Sequence, residues 1–145
     1  MKNLILSAIA GLGAAFGFAP LCDGAVQKHN FDDLLAAIAQ VESGGDPNAF
    51  NERESAAGLY QIRPIYLKDV NRLLGYQKYS LKDRYDPTKS ECMVFIYLRH
   101  YGQNKSIEQM AAIHNSGPRG HIKLKTSKQV QNYVKKILIA LDNPQ

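Results

Sequence analysis

A helical stripe of apolar residues that ends in a carboxylate constrains the fold of this chain more than any other feature. Apolar side chains recur at helical spacing through residues 31–39, which predicts a helix with one face in a core. A step of one helical turn from Ile38 reaches Glu42, so the glutamate is predicted on the same buried face. Gly44 and Gly45 follow at once and are expected to end the helix.

Glu42 therefore has the placement that a general acid needs. Burial disfavours the ionised form of a carboxyl group and raises its pKa, which keeps a proton available near neutral pH. The alternative is a glutamate whose side chain turns to water, which is the usual state of a charged residue at a helix end. The sequence that follows favours chemistry, because residues 58–61 can return a backbone, an aromatic ring and an amide to the same place.

The rest of the chain is predicted to be mostly helical. The first helix is expected to begin at Asn30, a short helix is expected over residues 55–61, and Pro64 and Gly75 bound a longer one. Capping boxes, in which a Ser or Thr is followed one turn later by an acidic or amide residue, are predicted to open the last three helices at residues 88–91, 106–109 and 126–129.

Polar connections separate these helices, and a small β-hairpin within residues 46–54 or 76–85 is the alternative to irregular loops there. No internal repeat or low-complexity tract is present. The sequence thus predicts a single compact, mainly α domain over residues 26–145.

The first 25 residues are predicted to be a secretory signal peptide that is removed. A short basic start at Met1–Asn3 precedes an apolar run over residues 4–19, which is too short for a typical membrane span. Cleavage is expected near Gly24 or Ala25, which would leave a secreted or periplasmic protein. An uncleaved N-terminal anchor is the alternative.

The two cysteines raise two further alternatives. A lipid-modified Cys22 is the weaker, because Leu21 is not the small residue that a lipoprotein signal usually has before its cysteine. If Cys22 leaves with the leader, Cys92 has no disulfide partner, and its helical apolar surroundings predict a small buried side chain. A Cys22–Cys92 disulfide would require that the leader stay attached.

The charge of the chain suits an anionic polymer such as a cell wall, a membrane surface or a nucleic acid. The formal net charge is +5, although solubility alone explains it equally well. The basic C-terminal stretch has no interleaved aromatic residues and no nucleic-acid motif, so no nucleic-acid partner is expected. The four histidines show no metal-ligand spacing, and neither a metal nor another cofactor is expected.

Four short motifs resemble, in order and spacing, those of the lytic transglycosylase domain of the soluble (SLT) type, in the lysozyme-like superfamily. They cover residues 31–138, and their parts are Glu42-Ser43 with Gly58-Leu59-Tyr60-Gln61-Ile62 and Pro64, then Asp86-Pro87 with Tyr97-Leu98, then Ala112-Ile113-His114-Asn115-Ser116-Gly117-Pro118, and finally Tyr133-Val134. The chain departs from the family pattern at Tyr60, where methionine is usual, and at His114, where tyrosine is usual.

The resemblance implies an α+β lysozyme-like fold with a glycan-binding groove. It implies cleavage of the β-1,4 bond between N-acetylmuramic acid and N-acetylglucosamine, with Glu42 acting first as acid and then as base on the muramic C6 hydroxyl. The product would be a 1,6-anhydro sugar, and the N-acetyl group of the substrate would assist. By the same resemblance, the residues expected to bind or orient the substrate are Ser43, Gly58, Leu59, Tyr60, Gln61, His114, Asn115 and Tyr133.

Two other functions remain open at this stage. A lysozyme-like hydrolase of peptidoglycan or chitin-type chains would use a second carboxylate, for which the candidates are Asp46, Glu52, Glu54, Asp83 and Asp86. An inactive glycan-binding module is the alternative from another class. The expected partners are the glycan strands of peptidoglycan and, in one setting, an envelope-spanning assembly, with the protein itself a monomer.

Overall fold

The computed structural model of the protein describes residues 23–143, with side chains described from residue 31 onward. Within that range, six α-helices are accompanied by a 3₁₀ helix and a two-stranded antiparallel sheet. In chain order the elements are α1 (Asp23–Ser43), β1 (Phe50–Asn51), β2 (Ala56–Ala57), α2 (Pro64–Leu74), the 3₁₀ helix (Leu81–Tyr85), α3 (Pro87–Tyr101), α4 (Ile107–Ser116), α5 (Gly120–Lys123) and α6 (Lys128–Asp142). The predicted mainly α domain with a minor hairpin is confirmed.

Helix α4 lies at the centre of the fold and packs against α1, α3, α5 and α6. Its residues 111–113 are completely buried. The apolar stripe of α1 meets it through Leu34 and Ile38, while Met93 of α3 and Ile137 of α6 close the core from other sides. Because α1, α4 and α6 pack together, the C-terminal ends of α1 and α4 lie near the first half of α6.

The predicted end of α1 is confirmed. The amide of Gly44 donates to the Gln40 carbonyl at 3.0 Å, and the amide of Gly45 donates to the Ala39 carbonyl at 3.3 Å. Gly44 has a φ of 66°, the left-handed conformation that a glycine adopts at low cost after a helix. Glu42 consequently lies in the last turn, one residue before the chain turns away.

The predicted start of α1 is wrong, because the helix begins at Asp23 and runs through Asn30. Asn30 is a good N-cap residue by type. Residues 23–29 contain no proline, however, so nothing in them prevents the helix from starting before Asn30. Of the leader predicted over residues 1–25, residues 1–22 lie outside the described range. Among the described residues, no helix is long and apolar enough to cross a membrane.

The short helix predicted over residues 55–61 is also wrong. Instead, β2 pairs with β1 in a hairpin, with Phe50 opposite Ala57 and Asn51 opposite Ala56. Ser55 and Gly58 have φ values of 50° and 77°, which interrupt a right-handed helix on both sides of the two alanines. A hairpin was the alternative predicted within residues 46–54, and one is present, but its second strand lies beyond that range at Ala56–Ala57.

Helix α2 begins at Pro64 and is followed by Gly75, and α4 is opened by the capping box of Ser106 and Gln109, as predicted. Two other caps differ. Asp86, rather than the 88–91 box, caps α3 by accepting a hydrogen bond from the Lys89 amide at 2.9 Å. Ser127, one residue beyond Thr126, caps α6.

Cys92 is exposed, so its predicted burial is wrong. The buried face of α3 is formed by Ser90, Met93, Val94, Tyr97 and Leu98, and Cys92 lies outside that stripe. The fate of Cys22 lies outside the described residues.

Candidate active site

A cavity of about 260 Å³ opens where the ends of α1 and α4, the hairpin and α6 meet. It is lined by Val41, Glu42, Asn51, Glu54, Ala56, Gln61, Arg63, Tyr66, His114, Asn115, Tyr133 and Lys136. Five of the nine predicted site residues are therefore brought together: Glu42, Gln61, His114, Asn115 and Tyr133. Their separation in the sequence makes this cavity a product of the tertiary fold.

Glu42 is held at this cavity by a direct hydrogen bond. Its Oε1 accepts from the Tyr133 hydroxyl at 2.8 Å, and its side chain is 19% exposed. Burial raises the pKa of Tyr133 well above its usual range, so the hydroxyl keeps its proton and remains a donor. Glu42 is thus desolvated on one side and open to a ligand on the other.

Burial raises the pKa of Glu42 from 4.5 to about 7. The hydrogen bond from Tyr133 and the positive charges of Arg63 and Lys136 lower this pKa, while the negative charge of Glu54 raises it. Desolvation outweighs the net effect of these neighbours. Near neutral pH, Glu42 is therefore available both as a proton donor and, once ionised, as a base.

His114 lies beside Glu42 without forming an ion pair with it. Its Nε2 is 3.6 Å from Glu42 Oε1, and its Nδ1 is 3.4 Å from the Tyr66 hydroxyl. Burial lowers the pKa of His114 to about 4, and the positive charge of Arg63 lowers it further, against a hydrogen bond with the Tyr60 backbone that raises it. The imidazole is neutral at neutral pH, so it adds a polar neighbour but no charge.

Replacement of Glu42 by glutamine should stabilise the fold at alkaline pH. Because Glu42 binds its proton more tightly when folded, its stabilising contribution is complete below pH 4.5 and is lost as the pH rises through 7. The variant should therefore unfold with a free energy higher by up to about 3 kcal/mol at pH 8, and little changed at pH 4.5. Urea titrations at the two pH values measure this difference.

His114 has the opposite linkage, since its pKa is lower in the folded state. Its contribution is complete above pH 6.5 and is lost as the pH falls through 4. Between about pH 4.5 and 6.5, the contributions of Glu42 and His114 to wild-type stability change in opposite directions and nearly cancel. The Glu42→Gln variant keeps only the contribution of His114, so its stability should rise with pH over this range. Glu52→Gln, at an exposed position outside the cavity, is the control. Equal stability of wild type and Glu42→Gln at pH 8 would contradict the burial of this carboxyl group.

Gln61 is fixed by the hairpin. Its Nε2 donates to the Gly58 carbonyl at 3.0 Å and to the Ala49 carbonyl at 3.3 Å, and its backbone adopts a φ of 46°. Two carbonyl partners require the nitrogen on that side, so the side-chain oxygen is left as an acceptor. The local turn therefore presents an amide oxygen at the cavity.

The other four predicted site residues do not line this cavity. The Ser43 hydroxyl faces the carbonyls of Leu59, at 2.8 Å, and Ala39, at 3.1 Å, and so ties the end of α1 to the turn after β2. The Tyr60 ring is only 3% exposed and packs in the hydrophobic core beside the site. Gly58 and Leu59 belong to the turn after β2, and their carbonyls accept hydrogen bonds from the side chains of Gln61 and Ser43. These four residues therefore lie next to the cavity without lining it.

Arg63 and Lys136 were not predicted from the sequence. Arg63 donates to the Asn115 carbonyl at 2.8 Å and lies 3.7 Å from a Glu54 oxygen, so it links the hairpin to the end of α4. Lys136 is on α6, one turn after Tyr133. That helical spacing was the available signal for Lys136, whereas Arg63 lies between Ile62 and Pro64 of the first motif and has no such periodicity to mark it.

Of the candidate second carboxylates, only Glu54 lies on the cavity. Asp86 caps α3, and Asp83 accepts hydrogen bonds from Ser80, so both have structural roles. Asp46 accepts a hydrogen bond from the Asn48 amide. No group of three or more potential metal ligands lies together in the part of the chain that the structure describes.

Two further cavities adjoin the Glu42 cavity and share lining residues with it. The α2-side cavity, of about 590 Å³, shares Arg63 and Tyr66 with it. The α6-side cavity, of about 510 Å³, shares Asn115, Tyr133 and Lys136 with it and is completed by Gln129 and Asn132. The amide and hydroxyl groups of the α6-side cavity can exchange hydrogen bonds with sugar hydroxyl and acetamido groups.

A helical domain with a desolvated glutamate in an open cavity, at the end of its first long helix, is typical of the lysozyme-like class. Residues 23–137 match the transglycosylase SLT domain family, and the chain belongs to that family. Among curated proteins, no significant match was found. Family membership implies lytic transglycosylase activity on the glycan strands of peptidoglycan.

Proposed function

We propose that this protein cleaves the β-1,4 bond between N-acetylmuramic acid and N-acetylglucosamine in peptidoglycan, with Glu42 as the acid and then the base. The observation that carries the proposal is a largely buried Glu42 whose Oε1 accepts a hydrogen bond from Tyr133 in an open cavity. A carboxyl group with a pKa near 7 exchanges a proton in either direction at neutral pH.

In the first step, Glu42 donates its proton to the glycosidic oxygen, and the bond between that oxygen and the muramic C1 breaks. The substrate's acetamido oxygen assists at C1, which removes the need for a protein nucleophile. In the second step, the Glu42 carboxylate takes the proton of the C6 hydroxyl while the C6 oxygen bonds to C1 and the acetamido oxygen leaves C1. The products are a 1,6-anhydro-muramic end and a free N-acetylglucosamine end, and Glu42 is protonated again.

The surrounding residues stabilise the carboxylate that forms between the two steps. Tyr133 donates to it directly, and the charges of Arg63 and Lys136 favour the ionised form. Gln61 and Asn115 line the same cavity and offer amide groups that can orient the acetamido group of the sugar. His114 fills the place beside Glu42 without adding a charge that would hold it ionised.

Tyr133→Phe should lower kcat about 10- to 100-fold, because it removes a hydrogen bond to a group that becomes charged during the reaction. Since this hydrogen bond lowers the pKa of Glu42, its loss should also move the alkaline limb of the pH–rate profile to higher pH. Rates of wall clearing between pH 5 and 9 measure both effects. Tyr79→Phe, at a buried tyrosine away from the cavity, is the matched control. An unshifted alkaline limb would contradict the assigned contact.

A hydrolase is the second candidate, and Glu54 is the observation that favours it. Its carboxylate lines the cavity of Glu42 and could activate a water molecule, although it also lies 3.7 Å from Arg63. Mass spectrometry of digested peptidoglycan separates the two reactions, since a transglycosylase leaves anhydro-muramic ends and a hydrolase leaves reducing ends. Glu54→Gln should leave the anhydro product intact under our proposal, and abolish cleavage if Glu54 activates water.

We also propose that the protein acts outside the cytoplasmic membrane, where peptidoglycan lies, after removal of the leader predicted at residues 1–25. N-terminal sequencing of the protein from the cell envelope tests this proposal. A first residue near Gly24 or Ala25 supports it, and an intact Met1 contradicts it.

A further inference from the structure

We propose that the α2-side cavity binds the acidic stem peptide that peptidoglycan carries on its muramic acid residues. This inference rests on the proposed function, and it assigns a ligand to a cavity that the cleavage steps do not use. The volume of about 590 Å³ is within the range of cavities that hold a small ligand of several residues.

The position of the cavity fits a branch from the glycan strand. Arg63 and Tyr66 form part of both the Glu42 cavity and the α2-side cavity, so the two cavities lie side by side. The stem peptide leaves the strand at the lactyl group of muramic acid, the sugar whose C1 must lie beside Glu42. A peptide that starts there and runs past Arg63 would enter the α2-side cavity.

The charges of the α2-side cavity favour carboxylates. Its lining contains three cations, Arg63, Lys68 and Arg72, but only one carboxylate, Asp69. Arg72 already pairs with Asp69 at 2.6 Å, whereas the Lys68 side chain makes no hydrogen bond or ion pair with any residue in the described range. Lys68 is thus an exposed cation with its charge available to a ligand.

The uncharged part of the lining suits a peptide better than a sugar. Ile65, which is 68% exposed, Tyr97 and Pro118 provide apolar contacts for alanine methyl groups. No asparagine or glutamine side chain lines this cavity, whereas two asparagines and one glutamine line the α6-side cavity. The α6-side cavity therefore offers amide groups that suit a sugar, whereas the α2-side cavity offers cations and an apolar surface that suit an acidic peptide.

Direct binding tests the proposal without any need for cleavage. The probe is a synthetic stem tetrapeptide of L-alanine, D-isoglutamate, diaminopimelate and D-alanine, titrated into the Glu42→Gln protein and followed by NMR. In that background, Lys68→Glu should weaken binding about tenfold, because it replaces an attraction by a repulsion at the edge of the site. Lys123→Glu makes the same change of net charge on α5, outside the three cavities, and should alter the Kd less than about twofold.

Cleavage provides an independent test on two substrates, peptidoglycan with its stems and glycan strands stripped of stems by an amidase. The ratio of kcat/KM on the first to kcat/KM on the second should fall about tenfold in Lys68→Glu, mainly through KM, and stay unchanged in Lys123→Glu. Absence of tetrapeptide binding at millimolar concentration, or equal binding by the Lys68→Glu and Lys123→Glu proteins, would overturn the proposal. If neither substrate is cleaved by the wild type, the proposed function fails, and the binding result alone decides whether the cavity takes the peptide.

Discussion

Glu42→Gln is expected to reduce the clearing of purified peptidoglycan by at least about 1,000-fold while the protein stays folded. Glutamine cannot give a proton to the glycosidic oxygen or take one from the C6 hydroxyl, so both proposed steps lose their proton carrier. The side chain keeps its size and still has an oxygen that can accept from Tyr133. The measurement is the initial rate of turbidity loss at pH 7, with circular dichroism and urea unfolding as the test of folding.

The matched control is Glu52→Gln, which makes the same chemical change on the exposed hairpin turn, outside the cavity lining. Its clearing rate should stay within about twofold of wild type. A folded Glu42→Gln protein that retains a tenth of the wild-type rate would contradict the assignment of Glu42. Wild-type protein that binds purified walls without clearing them would instead support the glycan-binding module.

Gly58→Ala is expected to destabilise the fold by at least about 4 kcal/mol, which is a large part of the stability of a typical domain. A Cβ at this position would lie 1.8 Å from the carbonyl oxygen of Arg84 and 2.8 Å from its carbonyl carbon, and backbone atoms cannot move aside as a side chain can. The Arg84 guanidinium in turn donates to the carbonyls of Ser55 and Ile62. A displaced Arg84 would therefore loosen the turn that holds Gln61.

Gly75→Ala is the matched control for Gly58→Ala. The two glycines have φ values of 78° and 77°, but a Cβ at Gly75 meets no atom within 4 Å. Gly75→Ala should cost only the strain of a left-handed alanine, about 1–2 kcal/mol. Urea unfolding of the two variants separates the close contact from the backbone conformation, and equal losses of stability would show that the contact with Arg84 does not matter.

Five of the nine predicted site residues line the candidate site, because the signals that marked them are local even though the tertiary fold brings them together. The helical stripe places Glu42 on the buried face, and Gly44 and Gly45 end the helix next to it. The resemblance to the family motifs added Asn115 and Tyr133, and the structure brings both to the cavity of Glu42. A periodic pattern and an ordered set of short motifs are both visible in a single sequence.

What was missed depends on contacts between distant segments. A short helix was predicted over residues 55–61, but the Arg84 guanidinium, from a segment more than 20 residues away, donates to the carbonyls of Ser55 and Ile62 and holds the hairpin instead. Ser43 has the residue type of a ligand-binding group, yet its hydroxyl is used against the Leu59 carbonyl. Arg63 joins the site through an interaction with Asn115 that spans much of the chain.

The two departures from the family pattern have different structural consequences. Tyr60 is buried behind the cavity, so this change alters packing more than it alters the surface that meets a sugar. His114 is 5% exposed but lines the cavity itself, where it contacts both Glu42 and Tyr66. Because its pKa is lowered to about 4, the histidine can replace an uncharged residue without becoming an ion-pair partner of Glu42 at neutral pH.

Digestion of purified peptidoglycan in heavy-oxygen water tests the central claim most directly. If Glu42 directs the muramic C6 hydroxyl to C1, the new muramic ends are 1,6-anhydro sugars that contain no heavy oxygen, and they are absent from the Glu42→Gln digest. Reducing muramic ends that carry heavy oxygen at C1 would show that water is the acceptor, and would contradict the proposed reaction.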